Sequence, residues 1–214
     1  MVTIRVTDEA TDITKDYIFH RAVLAFHSAF FAAKLDTQRW ASMDPKRVYI
    51  PGSHEEWDVF NFWVNSHGFL VDKLPPGRTN KDQYLPSMLL YKMWIFADYY
   101  EIPDLTNSVI DMLHERLLSR QTFPIDIDFV YANALPGKTL RRFVADWYVY
   151  GYNLNWIKEN DAIKPTVDFF KDISARMANR NHPAMNWDKL TELNRCDWHG
   201  HRGPGGKLRY EGRR

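Results

Sequence analysis

Met93-Trp-Ile-Phe-Ala-Asp-Tyr-Tyr-Glu-Ile-Pro-Asp-Leu105 decides the fold of this chain. Leu85, Leu89, Met93, Phe96, Ala97 and Tyr100 recur at helical spacing through and just before it, which predicts one buried helix face. Pro103 ends that helix, because a proline pushes the residue before it, Ile102, out of the α region. Asp104 is then expected to offer a side-chain oxygen to the free N–H groups of a second helix, one that buries Leu105, Val109, Met112, Leu113 and Leu117. The whole stretch reads as structural rather than catalytic.

Working outward, Val2, Ile4 and Val6 alternate with Thr3, Arg5 and Thr7, the period of a half-buried strand. A second short strand is expected over Tyr17 to Phe19, with the polar Asp8-Glu-Ala-Thr-Asp12 as the turn of a hairpin. Val23, Leu24, Phe30, Phe31 and Leu35 then line two short helices, the second capped by Ser28. Val48 and Ile50 belong to another strand. Ser53-His-Glu-Glu56 has the spacing of a capping box and opens a helix carrying Trp57, Phe60, Trp63 and Val64 that ends near Gly68. Leu74-Pro-Pro-Gly-Arg-Thr-Asn-Lys-Asp82 is a solvated loop.

The alanine-aspartate pair, the aromatic and the isoleucine-proline of the opening stretch resemble the helical hairpin of BTB/POZ domains. Tyr17-Ile-Phe-His20-Arg-Ala-Val-Leu24 and Ser28-Ala-Phe-Phe31 are similar to that family's aromatic-x-H-[KR]-x-x-L and S-x-[FY]-F pattern. Val48-Tyr-Ile-Pro51 and the following Trp57, Phe60 and Trp63 stand where the family has a strand, a Leu-Pro and a helix of aromatic anchors. The resemblance covers residues 2 to about 118. It implies an α+β fold, a short sheet packed with a cluster of helices, and a role as a protein-interaction module forming homodimers, hetero-oligomers with other BTB proteins, or docks for cullin-3.

Composition allows this reading independently. The 214 residues suffice for one large domain or one ordinary domain with an extension, and 45% hydrophobic with 15% aromatic content is that of a globular chain. A net charge of +1 excludes little. One cysteine excludes an internal disulfide framework. No apolar run approaches the roughly 18 residues of a membrane span, and Val2-Thr-Ile-Arg-Val6 lacks the form of a signal peptide. The expected address is cytoplasm or nucleus.

After Gln121 three further helices are expected, over Ile125 to Leu135, Thr139 to Tyr152 and Pro165 to Met177, the last with proline in its first turn. The expected organisation is therefore a BTB/POZ-like domain over 1–120, a helical extension over 121–195, and a Cys/His motif with a Gly/Arg-rich, disordered tail over 196–214. Val130-Tyr131, Leu140-Arg141-Arg142 and Cys196-Asp-Trp-His199-Gly-His201 look similar to the tail common in fungal BTB proteins.

Candidate chemistry is sparse. Cys196, His199 and His201 could supply three zinc ligands, but structural zinc needs four, so an unliganded motif is expected. As nucleophile and base the same residues lack a third group that orients the histidine. His20 reads as a histidine hydrogen-bonded to backbone, and His27 as a satisfied, partly buried one. Glu55-Glu56 and Asp126-x-Asp128 are carboxylate pairs without the geometry of acid–base work. An enzyme is thus the remote reading, with no cofactor expected. Nucleic-acid binding is equally remote, since Arg202, Lys207, Arg209, Arg213 and Arg214 offer only non-specific attraction to phosphates.

Protein binding remains. The resemblance implies that cullin-docking members carry a hydrophobic-x-glutamate motif in the loop before the Val48 strand. Here Trp40-Ala41-Ser42 occupies that place, with serine for glutamate. Trp40, Ala41, Ser42, His20 and Arg21 are the expected interface residues, and a cullin-3 adaptor is the alternative to a general interaction module.

Overall fold

Three strands build one small sheet. In the computed structural model, β1 (Val2–Asp8) pairs antiparallel with β2 (Ile13–Phe19) and parallel with β3 (Arg47–Pro51), giving the order β2-β1-β3. The structure describes residues 1–36, 47–66, 85–120, 126–151, 157, 164–178 and 192–200. Around these strands the chain order continues as α1 (Arg21–His27), α2 (Ala29–Lys34), α3 (His54–Ser66), α4 (Ser87–Tyr99), α5 (Pro103–Arg120), α6 (Ile127–Asn133), α7 (Thr139–Gly151), α8 (Val167–Ala178) and a 3-10 turn (Arg195–Trp198). The fold is mixed α+β, with a short sheet and a majority of helix, as the sequence implies.

Alternation fixes the sheet's two faces. Val2, Ile4 and Val6 lie opposite Phe19, Tyr17 and Lys15 on one side and, from Ile4, opposite Val48 and Ile50 on the other. The apolar members of that set are buried. On the outer face Arg5 donates two 2.7 Å hydrogen bonds to the carboxylate of Asp16, and Thr7 meets Thr14 at 3.0 Å. The second strand begins at Ile13, earlier than the expected Tyr17, because these outward polar pairs extend the ladder past the apolar residues that mark it in the sequence. Asp12 closes the turn in the left-handed region at φ 54°, where aspartate is tolerated, and its N–H bonds Asp8 O at 2.8 Å.

The chain divides into two compact units. Residues of Met1–Leu85 and Phe96–Ser108 belong to the first, and Pro86–Ile95 with Val109–Gly200 to the second. The compact units part within α4 and within α5. In α4, Leu90, Tyr91 and Trp94 are buried besides the expected Leu89, Met93 and Ala97.

The first unit is organised on Trp57. Its indole lies 5.2 Å from Phe96, 5.5 Å from Tyr100, 5.7 Å from Phe60 and 5.8 Å from Tyr17, ring centre to ring centre. In the second unit α7 is the central element. Leu140, Phe143, Val144, Trp147 and Tyr148 are all inaccessible, and α6, α8 and the 3-10 turn pack on it. Two expected helix starts move. Helix α5 begins at Pro103, with Ile102 O accepting from Leu105 and Thr106, so Asp104 lies inside the first turn instead of capping it. Pro165 conversely stays outside α8, where Thr166 Oγ1 accepts from Phe169 N at 3.3 Å. No helix among the described residues is long and apolar enough to cross a membrane.

Candidate interaction surface

Ser28 is the residue that builds this surface. Fully buried between α1 and α2, it accepts from Phe31 N at 3.0 Å and donates to Tyr100 O at 2.6 Å, so the cap read from the sequence also ties α2 to the α4–α5 junction. Ala29 N–H adds a 3.3 Å bond to Glu101 O, and Glu101 itself takes a left-handed φ of 51° to turn the chain. Ile102 N–H returns to Ala97 O at 2.8 Å. The junction is thereby rigid, with its backbone groups used.

Rings stand on it. Tyr100 stacks on Phe31 at 5.5 Å beneath the surface, and burial pushes its hydroxyl above the usual tyrosine range. Tyr99 instead faces outward at 69% exposure, 4.9 Å from Tyr100 and 6.3 Å from Phe30, whose ring lies 5.4 Å from Lys34 Nζ. On the other side of the extended Ser28, Phe26 is 57% exposed near the end of α1. His27 beside it is partly buried as expected: Nδ1 lies 3.2 Å from Asp104 Oδ2, and its ring meets Phe26 and Trp63 edge-on. Large exposed rings such as Phe26 and Tyr99 are more typical of contact surfaces than of cores. The sequence reading put Leu89, Met93, Ala97 and Tyr100 on the buried face, where they lie, and did not single out Tyr99, which the structure exposes.

The expected interface residues fare differently. His20 is exposed at the N-cap of α1, and its carbonyl accepts from Val23 and Leu24 while its imidazole makes no cap bond, contrary to the expected backbone-bonded side chain. Arg21 is half-buried and donates to Leu35 O, which ties α1 to the end of α2. Trp40, Ala41 and Ser42 lie outside the described residues, as do Gly68, the loop from Leu74 to Asp82, and the tail from His201.

Of the zinc candidates, Cys196 is exposed and His199 Nε2 pairs with Asp111 Oδ1 at 3.2 Å, with His201 outside the described residues. Among the described residues no three His, Cys, Asp or Glu side chains converge as a metal site would. Asp111 does supply the orienting carboxylate for His199 that the sequence did not reveal, across 88 residues of chain.

The carboxylate pairs are ordinary. Ser53 Oγ accepts from Glu55 N at 3.2 Å, while Glu56 Oε2 is buried without a hydrogen-bond partner, so the reciprocal half of the capping box is not made by that atom. Asp126 precedes α6 without a side-chain cap bond, and burial, then the nearby Asp128, raises its pKa. Compared with protein-family models and with curated proteins, the chain matches none.

Proposed function

We propose that this chain is a non-enzymatic protein-interaction module of the BTB/POZ type, and that it docks partners through the exposed rings of Tyr99 and Phe26, with the half-buried Phe30 beside Tyr99. The observation that carries the reading is Tyr99, 69% exposed on a junction whose backbone is fixed by Ser28. A rigid amphipathic ring loses little entropy on binding, which is why tyrosine concentrates at interface hot spots.

The positions of the family-like motifs support the BTB/POZ part of the reading. Tyr17 to Leu24 runs from β2 into α1, Ser28 to Phe31 is the capped start of α2, and Val48 to Pro51 is β3. Trp57, Phe60 and Trp63 are buried anchors on α3.

Affinity purification with mass spectrometry tests it. The variant Phe26→Ala/Tyr99→Ala is expected to keep its helical circular dichroism and lose its principal partners at least about tenfold, since each hot-spot ring is worth more than 1 kcal/mol. An unchanged partner set in the folded variant overturns these rings as the docking surface. Cullin-3 among the partners, lost on Trp40→Ala, would place the chain as a ligase adaptor.

A further inference from the structure

Trp198 is one of the most deeply buried residues, yet it comes from a four-residue 3-10 turn far along the chain. Its indole N–H donates to Asp146 Oδ2 on α7 at 2.8 Å, and its ring sits 5.2 Å edge-on from Phe143 and 5.5 Å from His114. Asn194 caps the turn by accepting from Cys196 N at 3.0 Å. Outside, Arg195 and His199 lie 3.7 Å and 3.2 Å from Asp111 on α5. One buried ring, the Arg195–Asp111 ion pair and the His199–Asp111 hydrogen bond thus fasten the Arg195 to His199 segment.

Beneath that ring lies a polar group of a different kind. His114 is 2% exposed, between Trp198 and Trp147, and neither ring nitrogen has a hydrogen-bond partner. A neutral imidazole tolerates such a cage. An imidazolium does not, because it would bury a charge and two unsatisfied N–H donors. We propose that the Arg195 to His199 segment is an acid-released clasp: charging His114 expels Trp198 and frees the turn, while the helices it leaves stay folded.

The surrounding charges set its direction. Arg195 on the clasp opposes a proton on His114, and Asp111 one turn earlier on α5 favours it; burial is larger than either and lowers the pKa to about 4. With the clasp open, the imidazole returns toward its ordinary value of about 6.5. The closed form is therefore fully favoured above about 6.5 and loses ground as pH falls toward about 4, because the open form takes up the proton first. Asp146 acts oppositely at the acid end: burial raises its pKa, against Trp198, Arg176 and Arg142, with Asp197 adding to burial, so its own protonation favours closure. Arg176 Nη1 is 3.2 Å from Asp146 Oδ1 without hydrogen-bond geometry and remains with α8 when the clasp leaves. Charging His199 strengthens its attraction to Asp111, an effect that solvent weakens because Asp111 is 42% exposed. The quadrupoles of the flanking indoles attract an imidazolium but supply neither missing acceptor.

The chain's only cysteine makes the test direct, since Cys196 is exposed and lies in the clasp. A maleimide fluorophore on Cys196 is followed by anisotropy from about pH 7.5 to 4.5, with helical circular dichroism recorded in parallel. The expected result is a fall in anisotropy toward the value of Trp198→Ala, centred between about 6.5 and 4, with helicity retained. His114→Phe, or His114→Gln if the first does not fold, is expected to keep the label immobile throughout. Unchanged anisotropy in the native chain, a fall that coincides with loss of helix, or an identical fall in the folded His114 variant overturns the clasp.

Discussion

Ser28 shows how much one hydroxyl can carry. It satisfies the N–H of Phe31 and the carbonyl of Tyr100 while itself inaccessible to water. Ser28→Ala removes a helix cap and strands a buried acceptor, so the chain is expected to lose about 2 kcal/mol and roughly 4–8 °C of melting temperature. Thermal unfolding followed by circular dichroism checks this, and a shift under about 1 °C would show that the bond to Tyr100 O contributes little. At this scale the sequence was readable where a signal is local. Ser28 stands three residues before the N–H it caps, and His27 read correctly as a satisfied histidine. Tyr99 was not singled out, because it stands off the buried face of α4 and a single exposed ring carries no periodic signal.

Elements follow the same physics, with competition added. Pro103 and Pro165 exchanged the places the sequence suggested. Ile102 has no side chain able to cap, so its carbonyl and the preset backbone of Pro103 start α5, and Asp104 is carried into the first turn to meet His27. Thr166 can cap, so α8 starts after it and leaves Pro165 outside. The end of α6 rests on another device, the buried Arg141 of α7. Its Nε and Nη2 donate to Ala134 O and Tyr131 O, both at 2.7 Å, and its guanidinium lies 4.6 Å from the centre of the Tyr131 ring. A lysine has no planar fork to serve both carbonyls, so Arg141→Lys is expected to cost about 2–3 kcal/mol despite keeping the charge. The urea midpoint measures it. A loss below about 0.5 kcal/mol would mean that water caps these carbonyls as well as the guanidinium does.

For the whole molecule, local pattern gave the α+β class and the order of elements but not the compact units. The extra buried residues Leu90, Tyr91 and Trp94 of α4 widen the single apolar face that its spacing suggests, and the return of Trp198 to Asp146 spans 52 residues that no periodicity links. The Cys196 to His199 stretch, read as an unliganded Cys/His motif, is anchored by that tryptophan. The proposed docking surface on the first unit centres on the exposed Tyr99, and site-specific photo-crosslinking probes that proposal most directly. With p-benzoylphenylalanine at position 99 in one full-length chain and at position 170 in another, both sites are exposed in the native protein, at 69% and 45%. The account predicts a discrete partner adduct in cells from position 99 and none from position 170; adducts from position 170 alone would contradict it.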